Sequence, residues 1–143
     1  MIIALLASAA LLKWWVVTDP EFIAESEKSV FPVGAAAWIN SNDPPGKLFN
    51  DYDWGGYLGW TARDYPIFVD GRTDLYHDEI LLEYLQVIQA APGWEDILTA
   101  YQVNTIIVKT DSSLSREILT EGDWRLVYQD ELADVFIRTE IGR

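Results

Sequence analysis

The residues in this sequence whose types and spacing suit chemistry are five charged side chains and a tryptophan in two short segments. They are Asp51, Asp53 and Trp54 in the first segment and Asp70, Arg72 and Asp74 in the second. Carboxylates at close spacing can hold a divalent cation, and an arginine guanidinium binds phosphate or carboxylate groups with two parallel hydrogen bonds. We therefore treat these six residues as the candidate ligand-binding set.

The Asp51-x-Asp53 spacing is compatible with two kinds of metal site. It matches the paired carboxylates with which nucleotide-sugar glycosyltransferases hold a divalent metal against a diphosphate. It also begins like an EF-hand loop, with Gly56 at loop position six. Ala62 occupies position twelve, where that loop requires a bidentate glutamate, so the sequence excludes a calcium site of this type.

Two roles are possible for the Arg72 side chain, and the sequence does not distinguish between them. Its guanidinium can bridge Asp70, Asp74 or Asp53, forming an ion-paired network that joins the two segments. Alternatively, it is presented to a phosphate or carboxylate group of a ligand.

The sequence contains no self-sufficient catalytic motif. There is no cysteine, and His77 is the only histidine, so zinc ligands are lacking. The G-x-S-x-G, Walker and G-x-G-x-x-G patterns are also missing from the sequence. We therefore predict no catalytic residue, no metal site and no cofactor.

Strand and helix patterns alternate along the chain. Strands are predicted at 47–50, 66–70, 104–109, 124–128 and 133–138, and helices at 21–29, from Pro32 to about residue 40, at 78–91, at 94–101 and around 114–119. This order predicts an α/β fold in which helices cover a mostly parallel sheet in three layers, ending in an antiparallel hairpin. Ligands of such sheets bind beyond the carboxyl ends of the strands, so the two polar segments should form one rim.

Residues 1–17 form an apolar segment in which Lys13 is the only charge. As a helix, 17 residues extend for roughly 25 Å, whereas the hydrocarbon core of a bilayer is about 30 Å thick, so the span is marginal. Trp14 and Trp15 beside Lys13 suit the membrane–water interface. We predict a membrane anchor at 1–17, a connector at 18–31 and a soluble domain at 32–143. A signal peptide cleaved near Ala7-Ser8-Ala9 and a buried soluble helix are the alternatives.

The charge balance excludes several partners. The chain has 143 residues and a net charge of −13. Nucleic acid and anionic lipid surfaces both require clusters of Lys and Arg, so neither is an expected partner.

The segments 50–58 and 68–76, with 92–94, 124–130 and 135–138, resemble a known domain. It is the C-terminal soluble domain of multi-spanning bacterial membrane proteins related to dolichyl-phosphate-mannose-type glycosyltransferases. The resemblance covers roughly residues 30–139. More distantly, residues 52–57 are similar to the Trp-Trp-Asp-Tyr-Gly motif of oligosaccharyltransferase catalytic subunits, which contacts the acceptor peptide. Here the aromatic and acidic residues stand in a different order.

The resemblance implies a periplasmic domain attached by one helix to the bacterial inner membrane, although Lys13 taken alone favours a cytoplasmic domain. In that family the catalytic acid and lipid-phosphate sugar site lie in the multi-spanning part, whereas this sequence has one candidate span. The expected function is therefore a non-catalytic accessory subunit of a larger membrane complex. Small residues of its helix would pack against partner helices, namely Ala4, Ala7, Ser8 and Ala9.

Two further functions are compatible with the sequence. One is an acceptor- or glycan-recognition domain of a membrane glycosyltransferase, with the rim as its site. Five aromatic residues could line a sugar- or peptide-binding face, although most of them are expected in the core, namely Trp54, Tyr57, Trp60, Trp94 and Trp124. The other is an independent metal-dependent enzyme that uses Asp51, Asp53 and Asp70.

Overall fold

A computed structural model describes residues 6, 13–15, 17–72 and 76–139. Most of the predicted anchor and the candidate residue Asp74 lie outside these residues. The chain divides into two compact units, Met1–Phe31 and Pro32–Arg143. Within the described part of the chain, no helix is both long enough and apolar enough to cross a membrane.

Helix α1 (Pro20–Val30) belongs to the first unit and contains the predicted helix at 21–29. Asp19 caps it, because one carboxylate oxygen accepts hydrogen bonds from the backbone N–H groups of Glu21 at 2.8 Å and Phe22 at 3.3 Å. Pro20 stands in the first turn, where its missing N–H costs no hydrogen bond. None of the residues of α1 is buried.

The second unit is an α/β domain built on a four-stranded sheet. Its elements are α2 (Val33–Asn42), β1 (Lys47–Asn50), a 3₁₀ turn (Tyr52–Trp54), α3 (Gly55–Thr61), α4 (Asp78–Ile88), α5 (Trp94–Ala100), β2 (Val103–Lys109), α6 (Ser113–Ile118), β3 (Trp124–Gln129) and β4 (Ala133–Arg138). The predicted α/β class is confirmed, and so is the C-terminal hairpin, because β3 pairs antiparallel with β4.

The sheet is mixed, in contrast to the mostly parallel sheet predicted from the sequence. Its strand order is β1-β2-β4-β3. Strands β1 and β2 are parallel, whereas β4 pairs antiparallel with both β2 and β3. In β2, Ile106, Ile107 and Val108 are all fully buried. Successive residues of a strand point to opposite faces, so both faces of the sheet are covered at this strand.

The predicted strand at 66–70 is wrong, and only the end of this segment is buried. Val69 and Asp70 are buried, but the segment joins no ladder of the sheet. Instead, the side chain of Asn50 bonds to its backbone. The amide nitrogen of Asn50 donates to the Val69 carbonyl at 2.8 Å, and its oxygen accepts from the N–H groups of Phe68 at 2.8 Å and Val69 at 3.4 Å.

We predict that Asn50→Ala destabilises the domain by about 2–4 kcal/mol, because it leaves buried backbone groups of 68–69 without partners. Urea unfolding of the variant and the parent chain would measure this. Asn42→Ala is the matched control, since Asn42 is exposed and its side-chain amide donates a hydrogen bond to the Trp38 carbonyl within the same helix, α2. Equal stability losses in the two variants would contradict the role assigned to Asn50.

Candidate functional site

The first half of the predicted rim lies where the parallel strands β1 and β2 end. Asp51 follows β1, and its backbone N–H donates to the Ile107 carbonyl of β2 at 3.0 Å. Lys109, the last residue of β2, places its ammonium 2.5 Å from an Asp53 carboxylate oxygen and 3.5 Å from one of Asp51. One lysine therefore bridges the two aspartates whose spacing suggested a metal site.

The local backbone fixes Asp51 firmly. Its carboxylate accepts a hydrogen bond from the Asp53 N–H at 3.1 Å and so caps the 3₁₀ turn. Trp54 closes this turn with only 1% of its surface exposed. Its indole therefore packs in the interior, and the surface of the rim is formed without it.

Burial and charge act in opposite directions on these groups. Burial raises the pKa of Asp51 above its ordinary value of 3.8, while the nearby Lys109 ammonium partly offsets this. The hydrogen bond to Asp53 raises the pKa of Lys109, so the lysine stays charged. Asp53 itself is largely exposed.

The second half of the rim is the pair Asp70–Arg72. Asp70 is 4% exposed, and one of its oxygens accepts from Arg72 Nε at 2.8 Å and Nη2 at 2.5 Å. Its other oxygen accepts from the Arg72 backbone N–H at 3.0 Å. These hydrogen bonds from Arg72 lower the pKa of Asp70. Of the two described partners considered for Arg72, Asp70 bonds to it, while Asp53 pairs with Lys109.

A shallow groove of about 290 Å³ lies beside the Asp70–Arg72 pair. It is lined by Gly55, Gly56, Gly59, Trp60, Ile67, Asp70 and Arg72. Trp60 is 72% exposed, and the Arg63 guanidinium lies 4.2 Å from the centre of its ring. Asp70 and Arg72 are the predicted rim residues that line this groove.

Gly55 is a residue that the fold itself requires. A Cβ placed on it would lie 2.1 Å from the Val69 carbonyl oxygen and 2.6 Å from Asp70 Cα. The start of α3 therefore packs directly on the backbone that carries Asp70. The next glycine, Gly56, has no atom within 4 Å of such a Cβ.

The structure places five of the six candidate residues, and they fall into three sets. Asp51 and Asp53 are tied to Lys109, Asp70 and Arg72 form one wall of the groove, and Trp54 is in the core. Asp74 lies outside the described residues. Among the residues that the structure places, no three His, Cys, Asp or Glu side chains come together in a way that could hold a metal.

Lys109 is a site residue that sequence reasoning missed. It ends a buried strand, so the rule that placed Asp51 at the rim also applies to it. Trp60 was one of five aromatic residues considered for a binding face, and no sequence signal distinguished it from those in the core.

The sequence also gave no sign of a second polar cluster around Asp134. This buried carboxylate accepts hydrogen bonds from Ser115, Thr110 and Gln129. Its donors come from β3, α6 and the residue after β2, so the cluster joins these elements within the fold.

No protein-family model, curated protein or solved structure matches this chain. The resemblance to glycosyltransferase-related membrane proteins therefore remains a prediction from the sequence.

The neighbouring glycines of α3 should respond oppositely to the same substitution. Gly55→Ala should destabilise the domain by about 1–3 kcal/mol through overpacking against residues 69–70. Gly56→Ala should stabilise it by about 0.5–1 kcal/mol, since alanine favours the helix and meets no neighbour. Urea unfolding of both variants checks this, and a shift of the same sign in both would contradict the close packing at Gly55.

The two buried aspartates should also give opposite pH trends. The lowered pKa of Asp70 means that its ion pair stabilises the fold above pH 3.8, the ordinary aspartate pKa, and that this contribution is lost as the pH falls further. The raised pKa of Asp51 means that its contribution is present below 3.8 and is lost as the pH rises through the folded-state value.

Thermal unfolding of the parent chain, Asp70→Asn and Asp51→Asn should be followed from acid to neutral pH. The advantage of the parent over Asp70→Asn should grow as the pH rises, and its advantage over Asp51→Asn should shrink. Parallel curves for all three proteins would show that neither carboxylate changes pKa on folding.

Proposed function

We propose that this chain is a non-catalytic, membrane-anchored accessory subunit of a larger membrane protein complex, with an extracytoplasmic domain derived from a glycosyltransferase. The observation that carries the proposal is the exposed apolar surface of the first unit. Among its described residues, seven large apolar side chains are each at least 49% exposed, namely Leu6, Trp14, Trp15, Val17, Phe22, Ile23 and Val30.

Such a surface favours burial against something outside the unit. Each Å² of apolar surface removed from water contributes roughly 25 cal/mol, and α1 has no buried residue through which to gain this within the unit. A bilayer or the helices of a membrane partner would cover these side chains. The order Lys13-Trp14-Trp15 supports a membrane–water boundary at this point.

The chemistry of the rim supports a non-catalytic role. Catalytic acids and bases need access to a reacting group. Here Asp53 is paired with Lys109, and the buried Asp70 with Arg72, so the charges neutralise one another within the domain. Charged groups that are paired in this way favour a structural or binding role for the domain.

The finer features of this proposal come from the sequence. They are one N-terminal membrane helix, a location in the bacterial inner membrane and a periplasmic domain, as the resemblance implies. The net charge of −13 favours a partner whose docking surface is basic, since opposite charges guide association.

The proposal predicts that residues 1–17 control both membrane attachment and assembly. After gentle detergent extraction, the full chain should migrate within a larger defined assembly on native mass measurement. A chain beginning at residue 18 should leave the membrane fraction and migrate alone, because the apolar segment 1–17 is missing.

Two variants serve as controls. Asp53→Ala changes an exposed rim carboxylate, and Trp60→Ala removes an exposed apolar side chain of the second unit. Both should assemble like the parent chain. Migration of the full-length parent as a lone subunit would refute the accessory role.

A further inference from the structure

Two glycines of α3 have no structural explanation within the described fold. A Cβ on Gly56 would meet nothing within 4 Å, and one on Gly59 would make an ordinary contact of 3.5 Å with Ile67. Neither has the positive φ angle that favours glycine. Glycine destabilises a helix relative to alanine, so the fold alone would favour larger residues at both positions. Both glycines line the groove beside Asp70, and the absence of side chains at these positions leaves the groove accessible.

Trp60, one helical turn after Gly56, lies in the same groove with most of its indole in solvent. An exposed tryptophan forgoes the burial that normally makes this residue valuable to a core. Its position is nevertheless defined, because Arg63 stacks on the ring at 4.2 Å and donates through Nε to the Trp60 carbonyl at 3.1 Å. The result is a flat aromatic surface that is already oriented before any ligand binds.

The other side of the groove presents hydrogen-bonding groups. Asp70 fixes the Arg72 guanidinium, whose side chain is 67% exposed. A carboxylate acceptor and a guanidinium donor therefore stand side by side. Vicinal hydroxyl groups, each both a donor and an acceptor, match this arrangement.

We propose that this groove binds one neutral sugar unit of a saccharide. The C–H face of the sugar ring would stack on Trp60 over Gly56 and Gly59, and its hydroxyl groups would bond to Asp70 and Arg72. A volume of about 290 Å³ is at the small end for ligand pockets, which suits a single ring. The net charge of −13 disfavours an anionic sugar. This inference goes beyond the accessory role and does not depend on it.

The test is titration of the full chain with neutral disaccharides (mannobiose, cellobiose and lactose), followed by NMR of the tryptophan indole N–H signals. The detergent must have no sugar head group. The signal of Trp60 is identified by its loss in Trp60→Phe. We expect one disaccharide to shift this signal saturably and Trp60→Ala to weaken binding by about tenfold or more.

The glycines give the sharper test, because binding and stability should move apart. Gly56→Ala and Gly59→Ala should raise the melting temperature yet weaken sugar binding by about tenfold. Gly122→Ala is the matched control, since its Cβ also meets nothing within 4 Å but lies outside the groove. It should bind like the parent chain.

Three results would overturn the proposal. They are the absence of a saturable shift with any of the three sugars, undiminished binding by Trp60→Ala, and a shift of the Trp60 signal by a short neutral peptide but by none of the sugars. The last would assign the groove to a peptide. None of these results bears on membrane assembly, so the accessory role is tested separately.

Discussion

The rim depends on the hydrogen bonds of the buried Asn50 side chain. Its amide joins the carboxyl end of β1 to the backbone of residues 68 and 69. That segment carries Asp70, and the start of α3 packs on it so closely that position 55 accepts only glycine. One polar side chain therefore fixes the positions of the ion pair and the groove relative to the sheet.

Sequence patterns predicted the regular elements well and their pairing less well. The helical period placed α4 and α5, and alternation placed the C-terminal hairpin. The apolar run at 66–70 indicated burial, which the structure shows for Val69 and Asp70 but not for Pro66. It does not report which groups satisfy the backbone. Here an asparagine replaces the neighbouring strand, and nothing in the spacing of Asn50 could indicate this.

The candidate site was predictable to a similar extent. Placing polar residues at strand ends brought out Asp51 and Asp70, and the same rule applied to β2 would have added Lys109. Which charges pair was not predictable, since Arg72 had several carboxylates within reach in sequence. The outcome matters physically. Asp70 has an arginine at short range and a lowered pKa, whereas Asp51 shares Lys109 with Asp53 and has a raised one.

Helix α3 shows how structural and functional constraints can occupy neighbouring positions. Gly55 is explained by packing, since any side chain there would strike the backbone of 69–70. Gly56 and Gly59 are not, although all three are the same residue in a helix of seven. The sequence cannot distinguish a glycine required by packing from one that leaves space for a ligand, because the residue type is the same in both cases. The space around each Cβ position distinguishes them. At Gly56 this space is empty and borders the groove that is lined by Trp60 and Arg72. The surface best suited to recognition thus lies between α3 and the Asp70–Arg72 half of the rim.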